Sequence, residues 1–127
     1  MDDLSVQVDL IDDERHLLRC GLSEWGGPAR CTEAMAVALG FHGTDDLYRE
    51  GHVLWERLGR HEPLSQRDWA RTLLATEVVF ASDVLGAGCD WSITTGLSDE
   101  RTIALLRSVQ HKIPVGGRSS WRDALSE

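Results

Sequence analysis

Residues 65–85 decide the fold, and their sequence is SQRDWARTLLATEVVFASDVL. Ser65 followed by Asp68 is a variant of the capping box that opens many helices. Behind this start, apolar side chains cover most of the helical circumference: Trp69, Leu73, Leu74, Val78, Val79, Phe80, Ala81, Val84 and Leu85. At 1.5 Å per residue the helix is about 30 Å long. A helix that is apolar nearly all round is normally surrounded by other helices, so we expect this one to be central.

Shorter helices are predicted around the central one, over residues 12–21, 33–39, 44–59 and 98–113. Asp12, Thr32, Thr44 and Ser98 are suitable N-terminal residues for them, because short polar side chains accept hydrogen bonds from the first free N–H groups. Glycines or prolines follow each predicted end. The connections are short, so consecutive helices are expected to pack antiparallel or at a steep angle.

Two glycines receive different interpretations. Gly21 is predicted to end the first helix, and residues 22–28 are predicted to form a loop in which Trp25 plugs the edge of the core. Gly51 lies on the apolar arc of the third predicted helix, which carries Leu47, Leu54 and other large side chains. A glycine on that arc favours the close approach of another backbone.

The predicted fold class is therefore all-α, a compact bundle of about five helices around the long helix at about 65–85. Val6, Val8 and Leu10 alternate with polar residues and indicate a short N-terminal strand or arm. No partner strand is evident, so a mobile arm and an edge strand that pairs with another copy are both open. We expect residues 1–115 to form a single helical domain and residues 116–127 a flexible C-terminal tail.

Charge and composition exclude several classes of function. The chain has 127 residues, a formal net charge of −8 and one lysine, Lys112. A phosphate backbone would be repelled by such a surface, so we expect no nucleic-acid partner. No apolar run is long enough to span a bilayer and no signal peptide is evident, so we expect no membrane partner and a cytoplasmic location. The absence of asparagine beside abundant arginine is typical of a GC-rich bacterial genome.

The cysteines and histidines give no cofactor or metal prediction. Cys20, Cys31 and Cys89 are widely spaced, and no C-x-x-C pair occurs. Free thiols in a reducing compartment are the simplest interpretation. No pair of histidines has helical i, i+4 spacing, so no metal site and no cofactor are predicted.

Glu77 breaks the apolar pattern of the central helix most sharply. Projected at 100° per residue, it falls inside the dense apolar arc, where an unpaired carboxylate would cost several kcal/mol or take up a proton. A partner such as an arginine or a tryptophan N–H is one explanation, and a ligand pocket is the other. Thr72, Thr76 and Asp83 form a narrower polar strip, and Asp83 points about 120° away from Glu77.

The segment 89–96 is rich in hydrogen-bonding groups and is predicted to be irregular or briefly extended. A candidate ligand site combines Glu77 and Asp83 with Trp91, Thr94 and Thr95 of this segment. The opposing interpretation is a loop that buries Trp91 and caps the next helix. Two further tryptophans, Trp25 and Trp121, are candidate interface anchors, since tryptophan is favoured at the centre of protein interfaces.

The leading functional hypothesis is a non-enzymatic protein that acts by binding another protein, as a regulator, an immunity-type inhibitor or an accessory subunit. A protein partner or a second copy of the chain would then be the partner. A small-molecule-binding protein or enzyme with a pocket around Glu77 and the 89–96 segment is the alternative. A helix-turn-helix DNA-binding protein over residues 32–48 is disfavoured, because Asp45 and Asp46 would open its recognition helix.

Overall fold

In the computed structural model, which describes residues 4–26, 31–82 and 90–113, helices account for most of the chain. The elements in chain order are β1 (Ser5–Val6), α1 (Asp12–Glu24), α2 (Glu33–Ala38), α3 (Thr44–Gly59), β2 (Leu64–Ser65), α4 (Gln66–Ala81), α5 (Trp91–Thr95) and α6 (Asp99–Lys112). The predicted fold class is confirmed: a helical bundle with one short sheet, in which β1 pairs with β2.

The central helix α4 begins where the sequence predicts and ends earlier. The Ser65 side chain accepts a hydrogen bond from the backbone N–H of Asp68 at 3.0 Å, as a helix N-cap does. The helix ends at Ala81, because Ser82 has an extended backbone. Asp83 lies outside the described residues. Two residues of the polar strip, Thr72 and Thr76, are fully buried.

The first helix is longer and more central than predicted. It continues through Gly21 to Glu24, so the prediction that Gly21 ends it is wrong. A Cβ atom at Gly21 would lie 2.1 Å from Thr76 Oγ1 and 2.8 Å from Thr76 Cα. Glycine is therefore required at the point where the backbones of α1 and α4 meet. Helix α1 also packs against α3 and α6, which places it beside α4 at the centre of the bundle.

A buried carboxylate joins α1 to α6. The Glu14 side chain is 0% exposed. Its Oε1 accepts hydrogen bonds from Lys112 Nζ at 2.6 Å and from the Ile11 N–H at 2.9 Å, and its Oε2 accepts one from Ser108 Oγ at 2.6 Å. Burial raises the pKa of the Glu14 carboxyl, but these hydrogen bonds outweigh it and hold the pKa below its ordinary value.

The N-terminal strand has a partner within the same chain. Strands β1 and β2 pair antiparallel, with Ser5 opposite Ser65 and Val6 opposite Leu64. The Trp69 indole N–H donates to the Val6 carbonyl oxygen at 2.9 Å, so α4 holds this strand as well. The predicted tail at 116–127 lies outside the described residues, and the single-domain boundary at 115 stays a prediction.

Replacing Gly21 with alanine tests the helix crossing. Alanine is the better helix former by about 0.5–1 kcal/mol. The added Cβ nevertheless meets Thr76 backbone, so we expect a net loss of unfolding free energy of about 1–3 kcal/mol. Urea titration followed by circular dichroism measures it.

Gly51→Ala is the matched control for this change. Gly51 also lies within a helix, but, apart from its chain neighbours and the backbone of its own helix, no atom of the described residues lies within 4 Å of a Cβ built there. The same substitution should therefore stabilise the protein by about 0.5–1 kcal/mol. A Gly21→Ala variant as stable as the wild type would contradict the close crossing.

Replacing Lys112 with methionine tests the buried carboxylate. At neutral pH the Lys112→Met substitution leaves Glu14 charged without its cation, so we expect the free energy of unfolding to fall by about 1–3 kcal/mol. Lys112→Arg keeps a cation and should lower it less. A lowered folded pKa contributes stability that is present above the ordinary value of 4.5 and is lost as the pH falls below it. In urea titrations, the difference in unfolding free energy between wild type and Lys112→Met should therefore become smaller below pH 4.5. A difference that stays constant with pH would argue against the pairing.

Candidate functional site

A surface cavity of about 440 Å³ opens between the end of α1 and the first three turns of α3. We call it the α1–α3 pocket. Its lining residues are Leu22, Ser23, Trp25, Gly26, Leu47, Tyr48, Gly51, His52 and Trp55. The five that belong to α3 follow helical spacing and form one stripe along it. The other four lie in the last turn of α1 and directly after it.

The floor of the pocket is apolar and is anchored to α4. Trp25 is 1% exposed, and its indole N–H donates to the Ala75 carbonyl oxygen at 3.0 Å. Leu22 and Leu47 are also buried. Trp25 thus plugs the edge of the core, as its position in the sequence predicts. Its role as an interface anchor stays a prediction.

Gly51 lines the pocket and, without a side chain, leaves part of its volume open. The prediction that another backbone approaches Gly51 closely is wrong, because no other segment among the described residues comes within 4 Å of its missing Cβ. The residue is nevertheless buried and lines the cavity. Glycine inside a helix costs about 0.5–1 kcal/mol relative to alanine. At this position, the missing side chain leaves an open volume and a stretch of helix backbone that a ligand can approach.

The rim is formed by side chains that hold one another in place. The His52 ring stacks on the Trp55 ring with centroids 5.9 Å apart. His52 Nε2 lies 2.8 Å from Glu56 Oε1. On the α1 side, the Arg19 guanidinium lies 3.8 Å from the Trp55 ring centroid and its Nε donates to the Trp55 carbonyl oxygen at 3.0 Å. Tyr48 is 46% exposed at the mouth.

The described residues of the sequence-predicted ligand site, namely Glu77, Trp91, Thr94 and Thr95, do not line this pocket. Glu77 is half-buried, and its Oε2 accepts a hydrogen bond from the side-chain amide of Gln110 at 2.5 Å. The partner is thus an amide of α6, neither of the two partner types considered from the sequence. Glu77 does not line the α1–α3 pocket.

The 89–96 segment contains a short helix, which corrects the expectation of irregular or extended structure. Trp91 is fully buried and donates its indole N–H to Thr102 Oγ1 at 2.8 Å. The Thr95 hydroxyl donates to the Trp91 carbonyl oxygen, and the Thr94 hydroxyl to that of Asp90. Trp91, Thr94 and Thr95 thus make these hydrogen bonds with other groups of the protein. The ligand site predicted around them and Glu77 stays a prediction, and Asp83 and Trp121 lie outside the described residues.

Sequence reasoning missed a cysteine–histidine contact on α1. His16 Nε2 lies 3.5 Å from Cys20 Sγ and 3.1 Å from the Thr95 carbonyl oxygen. Burial, followed by the charge of Glu24, raises the pKa of the Cys20 thiol to about 11. The thiol is therefore protonated at neutral pH and is a weak nucleophile. The i, i+4 spacing of His16 and Cys20 was the available signal.

Within residues 4–26, 31–82 and 90–113, no three His, Cys, Asp or Glu side chains form a group that could hold a metal ion. Over the same ranges, no helix combines the length and the apolar character needed to cross a membrane.

Comparison with known proteins assigns no family, because no family model, no curated protein and no solved structure matches the chain.

Proposed function

We propose that this is a non-catalytic binding protein that holds a small, mostly apolar molecule in the α1–α3 pocket. The observation that carries the proposal is the cavity itself, whose volume of about 440 Å³ falls in the range of small-molecule sites. Such sites combine apolar and aromatic walls with a few polar groups that fix the orientation of the ligand.

The distribution of polar groups supports an amphipathic ligand. The floor is made by Leu22, Trp25 and Leu47, whereas Tyr48 and His52 lie at the exposed rim. A ligand would therefore place a ring against the floor and a polar end at the mouth. The contacts that fix Trp25 and Trp55 also lower the entropy lost on binding, because these walls are already ordered.

Binding fits the lining residues better than nucleophilic catalysis does. They supply ring faces, hydroxyl groups and an imidazole that is paired with Glu56. The thiol of α1 belongs to Cys20, which is outside the lining and has a raised pKa. Cys20 and Cys31 are free thiols, which supports the proposed cytoplasmic location.

Filling the pocket tests the proposal. Indole is the probe, and its binding to the wild type is measured by ligand-observed NMR. We expect a dissociation constant near or below about 1 mM, as for a ring-sized fragment in an apolar cavity. Gly51→Leu places a side chain in the empty volume and should weaken indole binding at least about tenfold.

Val53→Leu is the matched control, because it enlarges a side chain on the exposed face of the same helix. It should bind indole as the wild type does. Absence of binding to the wild type, or equal binding by Gly51→Leu, would remove the pocket as the functional site.

Protein binding, the leading hypothesis from the sequence, remains a second proposal. It is favoured by the outer face of α2, where Ala34, Val37 and Ala38 are exposed at helical spacing and Val37 is 58% exposed. An apolar stripe on a helix surface is a common docking face for another protein or a second copy.

Light scattering and affinity capture of wild type and Val37→Asp test this second proposal. Loss of self-association or of a stoichiometric partner in Val37→Asp supports it. Ile93→Asp is the control, because Ile93 is an exposed side chain of α5. If wild type and Val37→Asp give the same result in both experiments, the α2 face is excluded as the docking site.

A further inference from the structure

We infer that the ligand of the α1–α3 pocket is an organic cation, an amine whose apolar ring occupies the floor. The inference rests on the proposed binding function and adds the charge of the ligand. It follows from the aromatic walls, from the end of α1 that borders the pocket, and from a buried carboxylate in the same turn.

The walls suit a positive charge. Trp25, Tyr48 and Trp55 surround one volume. A cation within about 6 Å of an aromatic ring is attracted by its π electrons, most strongly by tryptophan. The Trp55 ring already makes this kind of contact with the guanidinium of Arg19 and is also stacked on His52. Trp25 and Tyr48 are therefore the rings left for the charge of a ligand. Arg19 itself is not among the lining residues.

The end of α1 adds negative potential at the pocket. Leu22 and Ser23 belong to its last turn, and Trp25 and Gly26 follow directly. Carbonyl groups at a helix C-terminus carry a partial negative charge, which a basic side chain in the last turn commonly balances. The last turn of α1 contains no basic residue. A cationic ligand would supply that missing charge.

Glu24 places a full negative charge in the same turn. It is 6% exposed, and within the described part of the chain its Oε2 has no hydrogen-bond partner. A buried carboxylate oxygen that lacks a hydrogen-bond partner is costly, and a nearby cation reduces that cost. Glu24 does not line the pocket. It therefore acts on the ligand through its field and makes no direct contact with it.

The wider charge distribution acts in the same direction. At the rim, the carboxylate of Glu56 is paired with both His52 and Arg60 and therefore adds little to the field. The chain as a whole has a net charge of −8. Such a field attracts cations and repels anions at low ionic strength, and added salt screens it.

Three probes with the same ring test the inference: indole, tryptamine and indole-3-acetate, which are neutral, cationic and anionic at neutral pH. We expect tryptamine to bind the wild type most tightly and indole-3-acetate most weakly. At low salt their dissociation constants should differ at least about tenfold. This difference should shrink at high salt. Isothermal calorimetry or ligand-observed NMR measures all three affinities.

Two charge-neutralising variants locate the effect. Glu24→Gln should reduce the preference for tryptamine over indole, whereas Glu100→Gln, which removes the same charge from an exposed site on α6, should preserve it. If Glu24→Gln does not fold, the three wild-type affinities still decide the question.

Each other outcome has a defined meaning. Equal affinities for the three probes, or tightest binding of indole-3-acetate, would overturn the cation inference and leave the proposed binding function standing. An equal effect of both variants would overturn the role of Glu24. Failure of all three probes to bind would overturn the binding function and the inference together.

Discussion

The fold depends on the contact between Gly21 and Thr76, where α1 and α4 cross without room for a Cβ atom. This contact sets the distance between the two central helices. One turn further along α1, Trp25 meets the carbonyl oxygen of Ala75, the residue before Thr76. The crossing therefore also fixes the floor of the α1–α3 pocket. A shift of α1 along α4 would move Trp25 away from its acceptor and change the shape of the cavity.

Polar contacts at the other end of α1 hold the same arrangement. Glu14 lies in the first turn, and its two oxygen atoms accept hydrogen bonds from Ser108 and Lys112 of α6. A buried carboxylate with several donors is directional in a way that apolar packing is not, because each donor must be in position for the charge to be tolerated. Helix α1 is thus positioned by sterics near its C-terminal end and by hydrogen bonds near its N-terminal end.

The start of α4 and the caps of three helices were predictable because they are local. Ser65, Thr32 and Ser98 each accept an N–H from three residues later in the chain. The roles of Gly21 in α1 and Gly51 in α3 were not predictable. The sequence pattern predicts a helix end at Gly21 and a close backbone approach at Gly51, whereas the close approach is at Gly21 and Gly51 borders open space. The role of a glycine depends on what lies across from it.

The same limit explains why sequence analysis selected Glu77 and overlooked Glu14. A helical projection compares a residue with its own helix, and it identified Glu77 among apolar neighbours. Glu14 follows two aspartates at a helix start, where acidic residues are common. Its side-chain partners are 94 and 98 residues away in the sequence. No periodicity within α1 reveals them.

The glycine at position 51, which lines the pocket, also has an energetic cost. Glycine at position 51 weakens α3, and no neighbouring backbone requires it. Alanine would fit the space and favour the helix. Stability alone therefore does not account for this residue, whereas an open volume between Trp25 and Trp55 does. That contrast with Gly21, which the helix crossing requires, is the strongest structural reason to regard the α1–α3 pocket as a binding site.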